Sequence, residues 1–372
     1  MSISNRVLFA VMVMGVVMKI GSAEECLNQT EFDEEYGNGA FQIFSRAVDA
    51  QKLLKQGTKR SFKNIDFKKI DPKLERLKEA LVEVVNPLDN SDIDRINSEI
   101  KVLKDVEGFM VAPKFDRCTF EIIKKGEELT HFYYIIQEKQ YQRLSELEMS
   151  TSFFKAEAIR QIFTILQIAF AIQTLHAKGY VHQDIRPENI MSTDAELTHV
   201  RLIDFSKAVK VGERGLEGTK LYYSPDKFKE NFNASYHHDA YAFALTILFM
   251  YDFDYSFQTE MSSKYPSDLK AFPEDCKKLF TDKISKLKNE KYFLKNLLEY
   301  LEQHLFNDNT PLDISEMLRQ LIEIYNNLVK GKKDIYPKET SLVSKIERIY
   351  TENIKGINKK KDDLVNKENL II

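Results

Sequence analysis

The stretch Gly179-Tyr-Val-His-Gln-Asp-Ile-Arg-Pro-Glu-Asn-Ile-Met191 sets His182, Asp184 and Asn189 in the order H-x-D-x-x-x-x-N. A carboxylate followed five residues later by an amide suits a loop where the acid meets an acceptor hydroxyl and the amide reaches a divalent metal. Leu202-Ile-Asp204-Phe-Ser206 comes next, a short apolar run ending in a carboxylate that could hold magnesium on a nucleotide. Gly218-Thr-Lys-Leu-Tyr-Tyr-Ser-Pro-Asp226 follows. Upstream, apolar residues at Ile159, Ile162, Phe163, Leu166, Ala169, Phe170 and Leu175 predict a buried helix, broken at Gln173 and capped by Gly179.

Together these segments resemble the catalytic loop, the metal-binding D-F-G and the A-P-E end of the activation segment of protein kinases. One such motif also occurs in small-molecule phosphotransferases, but Pro187-Glu-Asn189 and the G-T-x-x-Y-x-S-P-D pattern favour the protein-kinase branch. The resemblance covers roughly residues 50 to 330. It implies an α+β, two-lobed fold, with a small, mainly β lobe carrying one helix and a large, mainly α lobe. It also implies Asp184 orienting or deprotonating a hydroxyl, and Arg186, where kinases usually have lysine, on the transferring phosphoryl group. Asn189 and Asp204 would hold metal, with ATP and magnesium or manganese as the cofactor if the site is active. Asp239 resembles the carboxylate that caps the catalytic loop from the following helix.

The departures carry as much weight. Gln183 replaces the arginine that usually pairs with a phosphate on the activation segment, leaving Thr219, Tyr222 and Tyr223 as hydroxyls without that partner. Ser206 replaces a hinge glycine. Asp226 would normally find an arginine near Asn309–Glu316, and none stands at the expected place. His237 and His238, adjacent on a helix, are expected at the surface and not on one shared site.

In the small lobe, Gln56–Ile65 looks like a kinase glycine loop in which only Gly57 remains, with Arg60 and Lys63 in later glycine places. Side chains there keep backbone N–H groups away from phosphate. Strands are expected at Ile65–Ile70 and Glu79–Val85, although Asp71-Pro72 also reads as a capped helix start. The nucleotide lysine then falls on Glu83, sixteen residues before Glu99 on a predicted helix. An acid at 83 repels both Glu99 and phosphates. This favours a pseudokinase acting as a binding or regulatory module, with a protein partner. The alternative is an atypical active protein Ser/Thr kinase acting on a protein substrate. It would use Asp184 as base and Asn189 and Asp204 on metal. Lys63, placed as in the with-no-lysine kinases, would join Glu99 at the nucleotide. In organisation the chain is also similar to apicomplexan rhoptry and dense-granule kinases that lack the glycine loop.

The 372 residues are 43% hydrophobic and 30% charged with net charge -3, enough for a substantial core and no electrostatic case for nucleic acid. Arg6, the apolar run Val7–Met18 and Gly21-Ser-Ala23 have the layout of a signal peptide. The mature chain is therefore expected to be secreted or lumenal, secretory granules or a vacuole included, without an integral membrane span. Asn28-Gln-Thr30 and Asn233-Ala-Ser235 fit the glycosylation pattern. Three cysteines allow one bridge or none. The expected organisation is a signal peptide at 1–23, an extension at 24–47 packed on the small lobe, a small lobe at 48–138, a large lobe at 139–330, and a C-terminal helix and charged tail at 331–372.

Overall fold

The computed structural model describes residues 26–368, apart from 55–59, 87–89, 107–110, 126–127, 147–152, 154, 229–230, 253–258, 261–262, 264–273 and 308–309. The leader at 1–23 and Gly57 lie outside the described residues. The chain divides into two compact units, one of Met1–Lys104 with Pro113–Gln140, the other of Asp105–Ala112 with Tyr141–Ile372.

The smaller unit is built on a five-stranded sheet. Its strands are β1 (Cys26–Leu27), β2 (Arg60–Asp66), β3 (Glu79–Val85), β4 (Phe115–Lys125) and β5 (Glu128–Glu138), in the order β1-β4-β5-β3-β2. β3 is apolar on both faces apart from Glu79 at its start and the buried Glu83, as a strand between two others must be, and pairs antiparallel with β2 and β5. Its Ala80, Val82 and Val84 join Ile65, Tyr134 and Ile136 in a core shared with α1 (Gln29–Tyr36) and α2 (Ala40–Val48). Phe44 stacks on Phe67 and meets Tyr134 edge-on. α1 starts at a capping box, in which the Asn28 side chain accepts backbone N–H groups and Glu31 answers on the Asn28 N–H. Cys26 and Cys118, paired in register across β1 and β4, form a disulfide.

β2 ends at Asp66, earlier than the expected Ile70. A 3-10 turn at Phe67–Lys69 takes over, followed by a 3-10 helix at Pro72–Leu77, where Asp71 accepts the Lys73 N–H at 2.9 Å. The capping chemistry of Asp-Pro, which fixes the first helical φ, prevails over strand propensity here. Helix α3 (Asn90–Val106) carries Glu99.

The larger unit is mainly helical, around α4 (Ala158–Ala177), α5 (Tyr236–Met250), α6 (Glu274–Glu290), α7 (Lys295–His304), α8 (Ile314–Val329) and α9 (Pro337–Glu368). Among the described residues α4 alone is long and apolar enough to cross a membrane, and most of it is buried in the core. The glutamine that interrupts its apolar pattern has a partner on α9: Asn353 donates to Gln173 Oε1 at 3.0 Å. A short pair, β7 (Tyr180–Val181) with β10 (Val209–Lys210), and a three-stranded sheet of β6 (Gln142–Arg143), β8 (Ile190–Ser192) and β9 (Val200–Leu202) in the order β6-β8-β9 flank the loop after α4.

Candidate active site

α4 runs out at Gly179, which turns the chain with φ of 83° and feeds β7 directly into the His182–Asn189 loop. Asp239, fully buried on the first turn of α5, holds this loop from beneath. Its Oδ2 meets His176 Nε2 at 2.9 Å and accepts the His182 N–H at 2.7 Å, while Oδ1 accepts the Gln183 N–H at 2.8 Å. Burial pushes the Asp239 carboxyl up, but the His176 and backbone hydrogen bonds outweigh it and hold the group below the ordinary carboxylate range. The role expected of Asp239 is thus visible in its bonds.

Asp184, Arg186 and Asn189 come together. Asn189 Nδ2 donates to the Asp184 carbonyl at 2.9 Å and to its Oδ2 at 3.2 Å. Arg186 Nε stands 3.6 Å from Asp184 Oδ2, and Asp184 Oδ1 accepts the Thr219 N–H at 3.0 Å. Ile203 N–H donates to the Asn189 carbonyl at 3.0 Å, which ties the strand end bearing Asp204 to the loop. Asp204 has φ of 60°, and Ser206, in the glycine's place, donates its hydroxyl to Asp204 Oδ1 at 2.5 Å. Asn189 and Asp204 bear the hard oxygen donors that suit magnesium or manganese.

Lys63 and Glu99 lie in the smaller unit, and they do not meet: Lys63 bonds the end of α2 and Glu99 bonds Arg60. Register decides this. Phe62 pairs with Glu83 and Lys63 with Val82, so Lys63 points to the opposite face of the sheet from Glu83. Its ammonium donates to the Ala47 and Val48 carbonyls at 2.9 and 3.2 Å, at the C-terminal end of α2. The expectation of Lys63 as the nucleotide cation is corrected accordingly. The cation facing the acids is Arg60, whose Nη1 donates to Glu83 Oε1 and, at 2.6 Å, to Glu99 Oε2. Glu83 and Glu99 are 0% and 1% exposed, so the Arg60 guanidinium bridges two buried carboxylates. The sequence signal was present in the alternation, since Arg60, Phe62 and Glu83 share a face once the register is known. Glu83 in the lysine's place does not fit a polyphosphate.

His237 and His238 overturn the expectation of surface histidines. Both Nε2 atoms reach Asp226 Oδ2, at 3.0 and 2.8 Å, because they sit on the first turn of α5, where the carboxylate lies across the helix start. His238 Nδ1 accepts the Ser235 N–H at 3.3 Å, which puts the proton of the neutral ring on Nε2, facing Asp226. That tautomer makes His238 a hydrogen-bonded brace on Asp226. The histidines thereby stand in for the missing arginine.

A protein kinase domain profile matches residues 72–324, more than half of the chain, and the chain belongs to the protein kinase family. It is similar to the serine/threonine-protein kinase SBK1 of Danio rerio, 32% identical over 103 residues, 26% of this chain and 27% of that one. It is also similar to the calcium/calmodulin-dependent protein kinase type II of Caenorhabditis briggsae, 27% identical over 203 residues, 53% of this chain and 32% of that one. Human serine/threonine-protein kinase D3 is 32% identical over 98 residues, 25% of this chain and 11% of that one. The aligned parts thus span a third or less of these relatives' length.

Proposed function

We infer that this kinase-family chain is a pseudokinase, a secreted binding or regulatory module that recruits a protein partner. The observation that carries this is the buried Glu83, which stands where the motif spacing would put the nucleotide lysine and bonds the same arginine as Glu99. A carboxylate in that position repels the phosphates that a lysine would attract. The Cys26–Cys118 bridge supports passage through an oxidising, secretory compartment, as does the leader-like N-terminus. Asn233 is exposed and open to glycosylation, whereas Asn28 spends its side-chain oxygen on the cap of α1.

The second reading, an active atypical Ser/Thr kinase, is favoured by one observation: Asp184, Arg186 and Asn189 keep a joined, catalytic-type arrangement. Bound ATP and metal would supply the phosphoryl group. Asp184 would orient the hydroxyl of a protein substrate, and Asn189 and Asp204 would hold the ion.

Calorimetric titration of the full mature chain with ATP, with and without magnesium or manganese, separates the two. The pseudokinase reading expects no heat of binding at millimolar nucleotide. It also expects the double variant Arg60→Ser, Glu83→Lys, which restores a lysine opposite Glu99, to gain metal-dependent binding. Metal-dependent binding by the natural chain, followed by phosphate transfer to protein, would establish the second reading instead.

A further inference from the structure

We propose that Gln183 is a positioning residue that fixes the activation segment, and through it the Asp184 carboxylate, without any phosphoryl group. All four of its polar groups are in use. Its N–H is held by Asp239, and its carbonyl accepts the Lys227 ammonium at 3.2 Å. Its Nε2 donates to the Lys207 carbonyl at 2.7 Å, and its Oε1 accepts the Leu216 N–H at 2.9 Å. One neutral amide thus clips both limbs of the segment, where an arginine would need a phosphate to reach.

The path leaves little slack around that clip. A side chain at Gly218 would put its Cβ 2.5 Å from the Gln183 carbonyl oxygen and 3.2 Å from Asp184 Oδ1, so only glycine lets the segment lie this close. The next residue, Thr219, gives its N–H to Asp184 Oδ1. The middle of the segment is paired in turn: Gly212 N–H to Ala234, Ala234 N–H to Glu213 and Gly215 N–H to Phe232, each at 2.8 Å. Tyr222 and Tyr223 are 5% and 4% exposed, without room for a phosphate in this arrangement. The clip operates whether or not the chain transfers phosphate, because it rests only on backbone groups of the segment.

The test is site-resolved amide hydrogen exchange on the full mature chain, before and after phosphatase treatment, and on Gln183→Ala and Gln183→Arg. Phosphatase is expected to leave exchange at Leu216 and Thr219 unchanged. Both variants remove the acceptor for the Leu216 N–H and should speed its exchange about tenfold, with the α5 amides unaffected. Faster exchange in the natural chain after phosphatase would overturn the proposal, as would an unchanged Leu216 in Gln183→Ala. Should that variant not fold, Gly218→Ala presses on the same contact from the segment side and is expected to loosen Leu216. Protection retained there would count against the clip.

Discussion

Arg60 bonds two buried acids at once, and its removal would take a guanidinium from both Glu83 and Glu99. Arg60→Ala is expected to cost about 3–5 kcal/mol of stability, read from urea denaturation, the range for breaking a buried ion pair. Arg60→Lys should recover only part, since an ammonium lacks the planar fork. Lys227 gives a second residue-scale prediction. It is 4% exposed, lies 4.4 Å over the Tyr223 ring, and burial holds its pKa down to about 8, against the pull of Asp239, Asp184 and Asp226. Its folded pKa is thus below the unfolded value of about 10.4. In that window the unfolded chain binds the extra proton, so stability rises with pH, and the cost of the buried charge is fully felt only below the folded value. Relative to Lys227→Met, the natural chain should gain up to about 3 kcal/mol between pH 7 and 10.5. A flat difference across that range would show that the ammonium stays charged in the fold.

Elements differ in how much the sequence discloses. The helix over residues 158–177, the third strand at Glu79–Val85 and the loop from His182 to Asn189 were legible because each depends on local signals: periodicity, a glycine cap and fixed motif spacing. Register was not legible. Nothing local in Arg60-Ser-Phe-Lys63 states which residue faces β3's acid, and an offset of one exchanges Lys63 for its neighbours. The histidine brace escaped for a related reason, since adjacent helix positions diverge along a helix body but can converge at its first turn. Lys63 now belongs to the end of α2, where an ammonium on terminal carbonyls is favourable. Lys63→Met is expected to lower stability by about 1 kcal/mol in a thermal melt and to leave any ATP titration unchanged. A loss of nucleotide binding on that substitution would restore the with-no-lysine reading.

For the whole molecule, the C-terminal helix α9 is part of the larger unit. Val343 and Ile346 are buried at 1% and 0% exposure, Tyr350 donates to the Ser315 carbonyl, and Asn353 donates to the side-chain oxygen of Gln173 in α4. The sequence placed a C-terminal helix within 331–372 without indicating where it docks, because packing between distant segments leaves no local signature. Deletion of residues 331–372 is expected to abolish cooperative unfolding followed by circular dichroism, since it uncovers apolar surface and strands a buried amide. A truncated chain that melts sharply near the parent temperature would mean that α9 is a dispensable appendage.

The short β1 has a further consequence. β4 spans eleven residues and has β5 on one side, while on the other the two residues of β1 cover it at Cys118 and Thr119. A long, bare sheet margin is a template on which a second chain can add a strand, and proteins guard such margins against self-association. Among the described residues the guard is two residues long, and it is stapled down by a covalent bond. Reduction, or Cys26→Ser, should therefore make light scattering grow more steeply with concentration than it does for the bridged protein, even where the fold itself survives. In a reducing environment the same chain would carry a sticky flank.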